Sequence, residues 1–300
     1  MKKLLIVFIF FNQFVFSQDF KVLKTEKIQI KRNEQFFFPK LSPDGSKILY
    51  TKQNYKGLYL YDLKKKTVFQ ISGKQGAGYK PVFSKNGTDV FYRENDYEGM
   101  RKTSAIYSFN IKNKEKKIIE SQKRKVTVPQ ISGNKLFYTV DGKVKNKTLN
   151  SSDIGEDIWT FIDKQKIVLC NKGVKKVMTP NGEGNYIWVS LSPDKKKILY
   201  TFSGHGTYIS DLKGKLISEL GYLNAPVWYN DNWIVGMKDY DDGNKFTSSD
   251  IYAVSVDGKI SRQLTVSENL KELYPQCSAD NSKIVYHTYK GDIYLLTINK

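Results

Sequence analysis

One stretch occurs twice almost unchanged: Leu41-Ser42-Pro43-Asp44-Gly45-Ser46-Lys47-Ile48-Leu49-Tyr50-Thr51 and Leu191-Ser192-Pro193-Asp194-Lys195-Lys196-Lys197-Ile198-Leu199-Tyr200-Thr201. An internal repeat constrains architecture more than any single motif, because each copy is one supersecondary unit that must bury its apolar face against its neighbours. Each copy reads as strand, turn, strand. Proline presets φ at the second turn position, aspartate bonds its own backbone, and glycine accepts a positive φ. The Lys-Ile-Leu-Tyr that follows is β-branched and aromatic, which suits a pleated, packed surface.

The turn serine anchors the other copies at Ser42, Ser84, Ser132, Ser192, Tyr229 (a substitution) and Ser278. Three residues earlier stand Pro39, Pro81, Pro129, Val189, Pro226 and Pro275, proline in five of six. Proline cannot donate to a ladder, so the recurrence marks a repeated edge strand, as the innermost strand of a propeller blade would be. Second strands follow at Lys47–Tyr50, Asp89–Tyr92, Lys135–Tyr138, Lys197–Tyr200, Trp233–Gly236 and Lys283–Tyr286. Third strands carry Tyr59, Tyr107, Trp159, Tyr208, Tyr252 and Tyr294. Fourth strands are expected at Thr67–Ser72, Lys116–Ser121, Val174–Thr179, Lys215–Leu220 and Ile260–Thr265. Four short strands at a spacing of roughly 40–50 residues is the pattern of propeller blades. The sixth unit lacks a fourth strand, and Phe20–Ile30 alternates like a strand without a partner. The expectation is an all-β, six-bladed β-propeller of four-stranded antiparallel blades, its last blade closed by the N-terminal strand.

These residues resemble the TolB-like propeller repeats, the WD40-like kind with a Ser-Pro-Asp-Gly turn. The resemblance runs from Phe36 to Lys300 and is clearest at Ser42–Leu63, Ser192–Leu212 and Ser278–Ile298. No Trp-Asp dipeptide closes any unit. The resemblance implies a propeller in the cell envelope that engages other proteins there; function itself lives in sites, not in the fold.

Residues 1–17 read as a secretory signal: Lys2 and Lys3, an apolar Leu4–Phe16, and Val15-Phe16-Ser17 before Gln18. The apolar run is shorter than the ~20 residues a membrane-spanning helix needs. The domain reading is therefore a signal at 1–17 and a single TolB-like β-propeller domain at 18–300, in the periplasm or outside the cell, monomeric, with no transmembrane segment in the mature chain. The third unit is irregular: Asp141-Gly142-Lys143 and Asn150-Ser151-Ser152-Asp153 precede Trp159, and Ile167–Cys170 reads as a further strand. Either that unit carries an insertion or the strands there are assigned one place off.

The net charge is +19, from 49 basic and 30 acidic residues. Arginine contributes only Arg32, Arg93, Arg101, Arg124 and Arg262, whereas bidentate recognition of phosphate and guanine leans on arginine. A lysine-rich solvated surface drawn to anionic envelope polymers fits better than nucleic-acid binding. Cys170 and Cys277 fall on strands far apart around the ring, beyond the ~7 Å that a disulfide spans.

The connections between second and third strands share one propeller face and form a rim. Arg93, Glu94, Asp96, His205, Asp239, Asp241, His287 and Tyr289 are the candidate ligand-binding residues on it. His205 and His287 are the only histidines, too few for a zinc site that needs three or four ligands. Asp239, Asp241, Asp242 and Asn244 suggest calcium, but their glycine comes one position early for an EF-hand loop. No cofactor and no metal ligand set are assigned, with calcium as the one ion to consider. Neither a Gly-x-Ser-x-Gly elbow nor a phosphate loop occurs. A glycosidase would need two convergent carboxylates, and nothing pairs the rim acids from sequence. This leaves enzymatic activity open and leans against it. The function expected is an exported, non-catalytic binding module, a protein–protein interaction scaffold of the cell envelope with an envelope or secreted protein as partner. The alternative is a carbohydrate-binding or carbohydrate-cleaving propeller.

Overall fold

The second strand of every unit is apolar on both faces, and this sets the architecture. In Ile48-Leu49-Tyr50 all three residues are at most 2% exposed, so neither face of the strand meets water. Ile48 and Tyr50 pack to one side, with Phe36, Val285, Ile293 and Leu295. Leu49 packs to the other, with Leu58, Phe83, Val90 and Tyr92. A sheet buried on both faces reads as a continuous apolar run rather than an alternation, and it must stand between two neighbours.

In a computed structural model describing residues 20–31, 34–149 and 157–299, those neighbours are seven antiparallel sheets arranged as a closed propeller. Strand β1 (Val22–Lys27) precedes the repeats. Blade 1 is β2 (Phe37–Leu41), β3 (Lys47–Thr51), β4 (Lys56–Asp62) and β5 (Thr67–Gln75). Blade 2 is β6 (Val82–Phe83), β7 (Asp89–Glu98), β8 (Arg101–Asn110) and β9 (Lys116–Lys123). Blade 3 is β10 (Gln130–Ser132), β11 (Lys135–Val140) and β12 (Lys143–Thr148), and blade 4 is β13 (Ile158–Asp163), β14 (Lys166–Asn171) and β15 (Val174–Met178). Blade 5 is β16 (Tyr186–Leu191), β17 (Lys197–Phe202), β18 (Gly206–Asp211) and β19 (Leu216–Gly221). Blade 6 is β20 (Asn224–Trp228), β21 (Trp233–Asp241), β22 (Phe246–Ser255) and β23 (Ser261–Gln263). Blade 7 is β24 (Glu272–Cys277), β25 (Lys283–Thr288) and β26 (Ile293–Ile298), with β1 as its outer strand.

The six-bladed expectation is corrected to seven. The irregular third unit is two three-stranded sheets, β10-β11-β12 and β13-β14-β15. Trp159 opens a new blade instead of serving as a third strand, and Ile167–Cys170 is that blade's middle strand. The reason lies in the turns. In blade 4 the hairpin at Lys164-Gln165 takes the place of the Ser-Pro-Asp-Gly turn, and the second and third strands of blades 3 and 4 are joined by hairpins at Asp141-Gly142 and Lys172-Gly173; all six residues have positive φ. Paired positive φ values define the two-residue turn whose twist matches its strands.

Seven apolar clusters account for the seven inter-blade seams. One example joins blades 3 and 4 through Phe137, Trp159, Val168 and Cys170. Closure is double. Strand β1 pairs antiparallel with β26, from Val22↔Ile298 to Lys27↔Tyr294. Blade 7 then seals against blade 1, where Phe36 N–H donates to the Gly291 carbonyl at 2.7 Å and Lys283 Nζ donates to the Gly45 carbonyl at 2.8 Å. A Cβ on Gly291, which has φ +80°, would sit 2.6 Å from Gln35 Cβ, so this seam needs glycine. The leader expected at residues 1–17 lies outside the described residues. Among those residues no helix is long and apolar enough to cross a membrane.

The repeated turn works as the sequence suggested. Ser42 Oγ donates to Asp44 Oδ1 at 2.6 Å and accepts from Lys47 N–H at 2.9 Å, and Asp44 Oδ1 also accepts from Ser46 N–H at 3.1 Å. Ser192–Asp194 and Ser278–Asp280 repeat this, and Ser84 does the same with Asn86. Burial alone would raise the Asp44 carboxyl, but these hydrogen bonds outweigh it and hold the pKa at about 2.

Two outcomes test this architecture. Deleting residues 20–30 should expose the β26 edge, lower Tm and cause association visible by light scattering; a monomer with unchanged Tm would show that closure does not need β1. Leu49→Ala should cost about 2–5 kcal/mol in denaturant unfolding, because Leu49 is fully buried between blades 1 and 2.

Candidate functional site

The recurring proline has a second role that shapes the site. Just before it the innermost strands carry a β-bulge: Phe37↔Thr51 is followed by Lys40↔Leu49, so three steps oppose two. The same slip occurs at Ile187/Ser190, Asn224/Val227 and Leu273/Gln276. The residue ahead of the proline position takes a left-handed φ in five blades: Phe38 (+49°), Lys80 (+51°), Trp188 (+52°), Ala225 (+45°) and Tyr274 (+54°). Bulky residues pay of order 1–3 kcal/mol in that region, and bulges re-aim side chains. Because the bulge repeats, it belongs to the blade design. What varies is the side chain it presents on the face that also carries the second-to-third-strand hairpins.

In the sector formed by blades 7, 1 and 2 those side chains meet. Phe38 stacks on Tyr55 with centroids 4.6 Å apart and meets Tyr274 and His287 edge-on at 4.9 and 5.1 Å. Tyr274 stacks on His287 at 5.6 Å, and Phe37 approaches the same imidazole at 5.4 Å. Tyr55 reaches Tyr79 at 4.8 Å, and the Arg93 guanidinium lies 5.8 Å from the Tyr79 ring. Tyr55 is placed by a short turn in which Asn54 and Tyr55 both have positive φ, and its carbonyl accepts from Gly76 N–H at 3.0 Å.

The polar atoms of this basin are under-used. His287 is 2% exposed; its Nδ1 donates to the Thr288 carbonyl at 3.0 Å, which leaves Nε2 as an acceptor with no partner among the described residues. Burial lowers the imidazole to a pKa of about 4, so it is neutral at pH 7. Arg93 donates to the Val126 carbonyl at 2.7 Å, while its Nε is buried and unpartnered. Burial, with Tyr79 and Tyr274 nearby, pushes Tyr55 up to about 12. Burial and then the charge of Asp239 raise Tyr274. All these hydroxyls therefore stay protonated donors.

The rim candidates divide. Arg93 and His287 come together in the basin, at opposite ends of the Tyr79–Tyr55–Phe38 chain. Glu94 turns away into blade 2, 3% exposed, and accepts from Ser72 Oγ and Lys116 Nζ, both at 2.7 Å. Asp96 accepts from Lys74 and Gln122. Asp239 is buried and takes Asn224 Nδ2 at 2.9 Å. Asp241 accepts from Gly243 N–H, and its neighbour Asp242 accepts from Asn244 and Lys245 N–H, so the acidic loop uses its oxygens to build its own turn. His205 is exposed on blade 5, stacked on Phe202 at 4.7 Å, and shares no contact with His287. Tyr289 is 56% exposed beside Lys271 and Phe246. Among the described residues no three His, Cys, Asp or Glu side chains are grouped to hold a metal ion.

The signal for the missed residues was present: Phe38, Lys80, Trp188, Ala225 and Tyr274 all sit directly before the repeated proline position. A chemically variable residue at a fixed repeat position is where a propeller differentiates its face. A second feature also escaped the sequence reading. Glu272 occupies the slot that Phe36, Tyr186 and Leu223 fill in blades 1, 5 and 6, and it is 1% exposed. It accepts from Ser267 Oγ at 3.1 Å, Tyr286 hydroxyl at 3.3 Å and Thr265 Oγ1. Burial, helped by the charge of Asp250, raises its pKa. Two inter-blade grooves of ≈ 340 and ≈ 580 Å³, lined by residues such as Ser84, Asn86 and Asp44, lie at the turns of the opposite face and touch none of this chemistry.

Comparison with solved structures gives the fold class, a β-propeller. A TolB from Acinetobacter baumannii superposes with TM-score 0.52 at 20% identity, over 81% of this chain and 57% of that one. This chain thus spans little more than half of that TolB. An oligogalacturonate lyase in complex with manganese gives TM-score 0.50 at 14% identity, over 90% and 79% of the two chains. A chain of a mitotic checkpoint complex gives TM-score 0.63 at 8% identity, over 93% and 95%. No family model and no curated protein matches the sequence.

His287 gives the site a pH signature. Its folded pKa of about 4 lies below the ordinary 6.5, so the unfolded chain binds the proton more readily and stability falls as pH drops from about 6.5 through about 4. The His287→Phe variant should lose that share, on the order of 3 kcal/mol between pH 7 and pH 4, in urea unfolding; identical pH slopes for both proteins would contradict it.

Proposed function

We propose that this chain is an exported, non-catalytic binding module that presents the hairpin face of its propeller to a partner protein in the cell envelope or outside the cell. One observation carries the reading: the basin of Phe38, Tyr55, Tyr274 and His287 is held on strained backbone, and its polar tips have no partners among the described residues. The hydroxyls of Tyr55 and Tyr274 make no hydrogen bond among the described residues. Aromatic anchors with unfilled donors at a cleft are the composition of interface hot spots. The likeness of fold to TolB and to a chain of the mitotic checkpoint complex, a protein assembly, supports a scaffold role by analogy.

The ring faces favour a protein over a sugar. Tyr55 covers one face of Phe38 and His287 one face of Tyr274, which reduces the open ring face on which a sugar would stack. The carbohydrate reading keeps one observation of its own: Asp250 and Glu272 are two carboxyls close enough to interact, both raised first by burial. Neither was among the acids weighed from sequence.

The test is crosslinking in the native host with tagged protein, read by mass spectrometry. Phe38→Gly and Tyr274→Gly remove the anchors while relaxing the left-handed backbone. The expected result is one envelope or secreted protein captured by the natural sequence and lost, tenfold or more, from both variants at unchanged Tm. Capture that survives both changes would overturn the reading.

A further inference from the structure

Beside the aromatic basin lie cations that nothing neutralises. Lys40 sits on innermost strand β2, two residues before the turn serine of blade 1, and Lys80, with a left-handed φ, sits directly before Pro81 at the entry to blade 2. Some of the Lys40 side chain remains reachable, as an open channel would leave it, while the protein around its ammonium desolvates it. Neither lysine makes a hydrogen bond or ion pair among the described residues. Lys80 is near enough for its charge to act on Lys40, and no carboxylate opposes it. Two further positive charges lie nearby: Arg93, which shares the Tyr79 ring with Lys80 and whose buried Nε has no partner among the described residues, and Lys102, which feels the Arg93 charge. Nearby carboxylates are already taken, Glu94 by Lys116 and Asp96 by Lys74. Lys40 and Arg93 are partly desolvated whereas Lys80 and Lys102 are exposed, and desolvated charges are ordinarily paired. Four cations without an anion describe a site whose anion comes from outside.

Resting on the partner-protein reading above, we propose that Lys40 and Lys80, flanked by Arg93, form an oxyanion subsite that receives a carboxylate of the partner segment whose apolar part contacts Phe38 and Tyr55. The adjoining surfaces fit an acidic residue next to an aromatic or aliphatic one. Tyr55 and Tyr274 hydroxyls are protonated donors at the boundary and suit the carbonyls of an extended backbone. Desolvation first, then Lys80, lowers Lys40 to about 8. A bound carboxylate would restore its charge, because an opposite charge favours the ammonium.

The test uses the full chain and reads Lys40 directly. Trace acetic anhydride at pH 7.5 labels amines in proportion to their free-base fraction, and mass spectrometry reports each lysine. In chloride buffer Lys40 should label at least tenfold faster than the surface lysines of β12. Inorganic phosphate at constant ionic strength should slow Lys40 at least fivefold and leave the β12 lysines unchanged. A glutamate-containing hydrophobic hexapeptide should do the same at lower concentration, and its amide-capped glutamine counterpart should not. Protection by a uronic-acid oligosaccharide but not by the peptide would overturn the assignment to a protein carboxylate. Absence of selective protection by any of the three would overturn the subsite altogether. Lys40→Met and Lys80→Met separate this proposal from the one beneath it. If both keep natural Tm and still capture the crosslinked partner undiminished, the oxyanion subsite is wrong while the binding module stands. If capture falls tenfold in these two variants as well as in Phe38→Gly, both hold.

Discussion

Everything here depends on sheets that are apolar on both faces. A lone blade of this kind cannot be stable, since each face leaves a strip such as Ile48–Tyr50 or Ile198–Tyr200 without cover. Stacking blades solves the problem for interior ones only; the two terminal faces remain. Closing the ring removes the ends, and the closing seam then has to be as good as the others. The Ile28, Phe36, Tyr50, Val285 and Leu295 cluster shows that it is, built from residues at opposite ends of the chain. Closure by β1 ties the N-terminal segment into blade 7 and covers the β26 edge, with β1 as the outer strand.

Sequence showed this principle clearly and counted it wrongly, and both follow from the same physics. Where the Ser-Pro-Asp-Gly turn persists, side-chain hydrogen bonds from Ser42 to Asp44 or Ser278 to Asp280 make the turn a property of four residues, legible without context. In blade 4 that turn is a backbone conformation, and so are the hairpins that follow the second strands of blades 3 and 4. Asp141-Gly142 advertises it, since aspartate and glycine are the residues of that turn, and weighing it as a hairpin would have given β12 its place. Lys164-Gln165 advertises nothing: two long side chains adopt positive φ because Ile162↔Ile167 and Thr160↔Leu169 are fixed by packing on either side. There the tertiary structure overrides local preference. The β1 closure was legible because an alternating segment without a partner met a blade without a fourth strand.

The site was less legible than the fold, for a different reason. Repeat logic predicts what is common to blades, and the basin is made of what differs. Arg93 and His287 were named from their loops, but their neighbours Phe38, Tyr55, Tyr79 and Tyr274 are scattered over 237 positions of sequence from Phe38 to Tyr274 and meet only because blade 7 abuts blade 1. The proline was read as an edge mark. It is that, and it also follows the bulged residue, which removes a backbone donor where the ladder is already broken. That second role places the variable side chain, and it appears only in the register.

The sector that closes the ring is also the one that carries the unusual chemistry, and the two are connected. Phe37 and Phe38 belong to blade 1, whereas Tyr274 and His287 belong to blade 7, so any ligand seated among them touches both sides of the closing seam. Such a ligand binds the closed ring and not an opened one, and mass action then stabilises closure by RT ln(1 + [L]/Kd). The cost particular to this sector is the Nε2 of His287, which has no partner among the described residues; the left-handed bulge of Phe38 and Tyr274 recurs in other blades. That unpartnered nitrogen weakens the seam in the empty protein. A seam weakened by a group that a ligand could satisfy would make binding and closure one equilibrium.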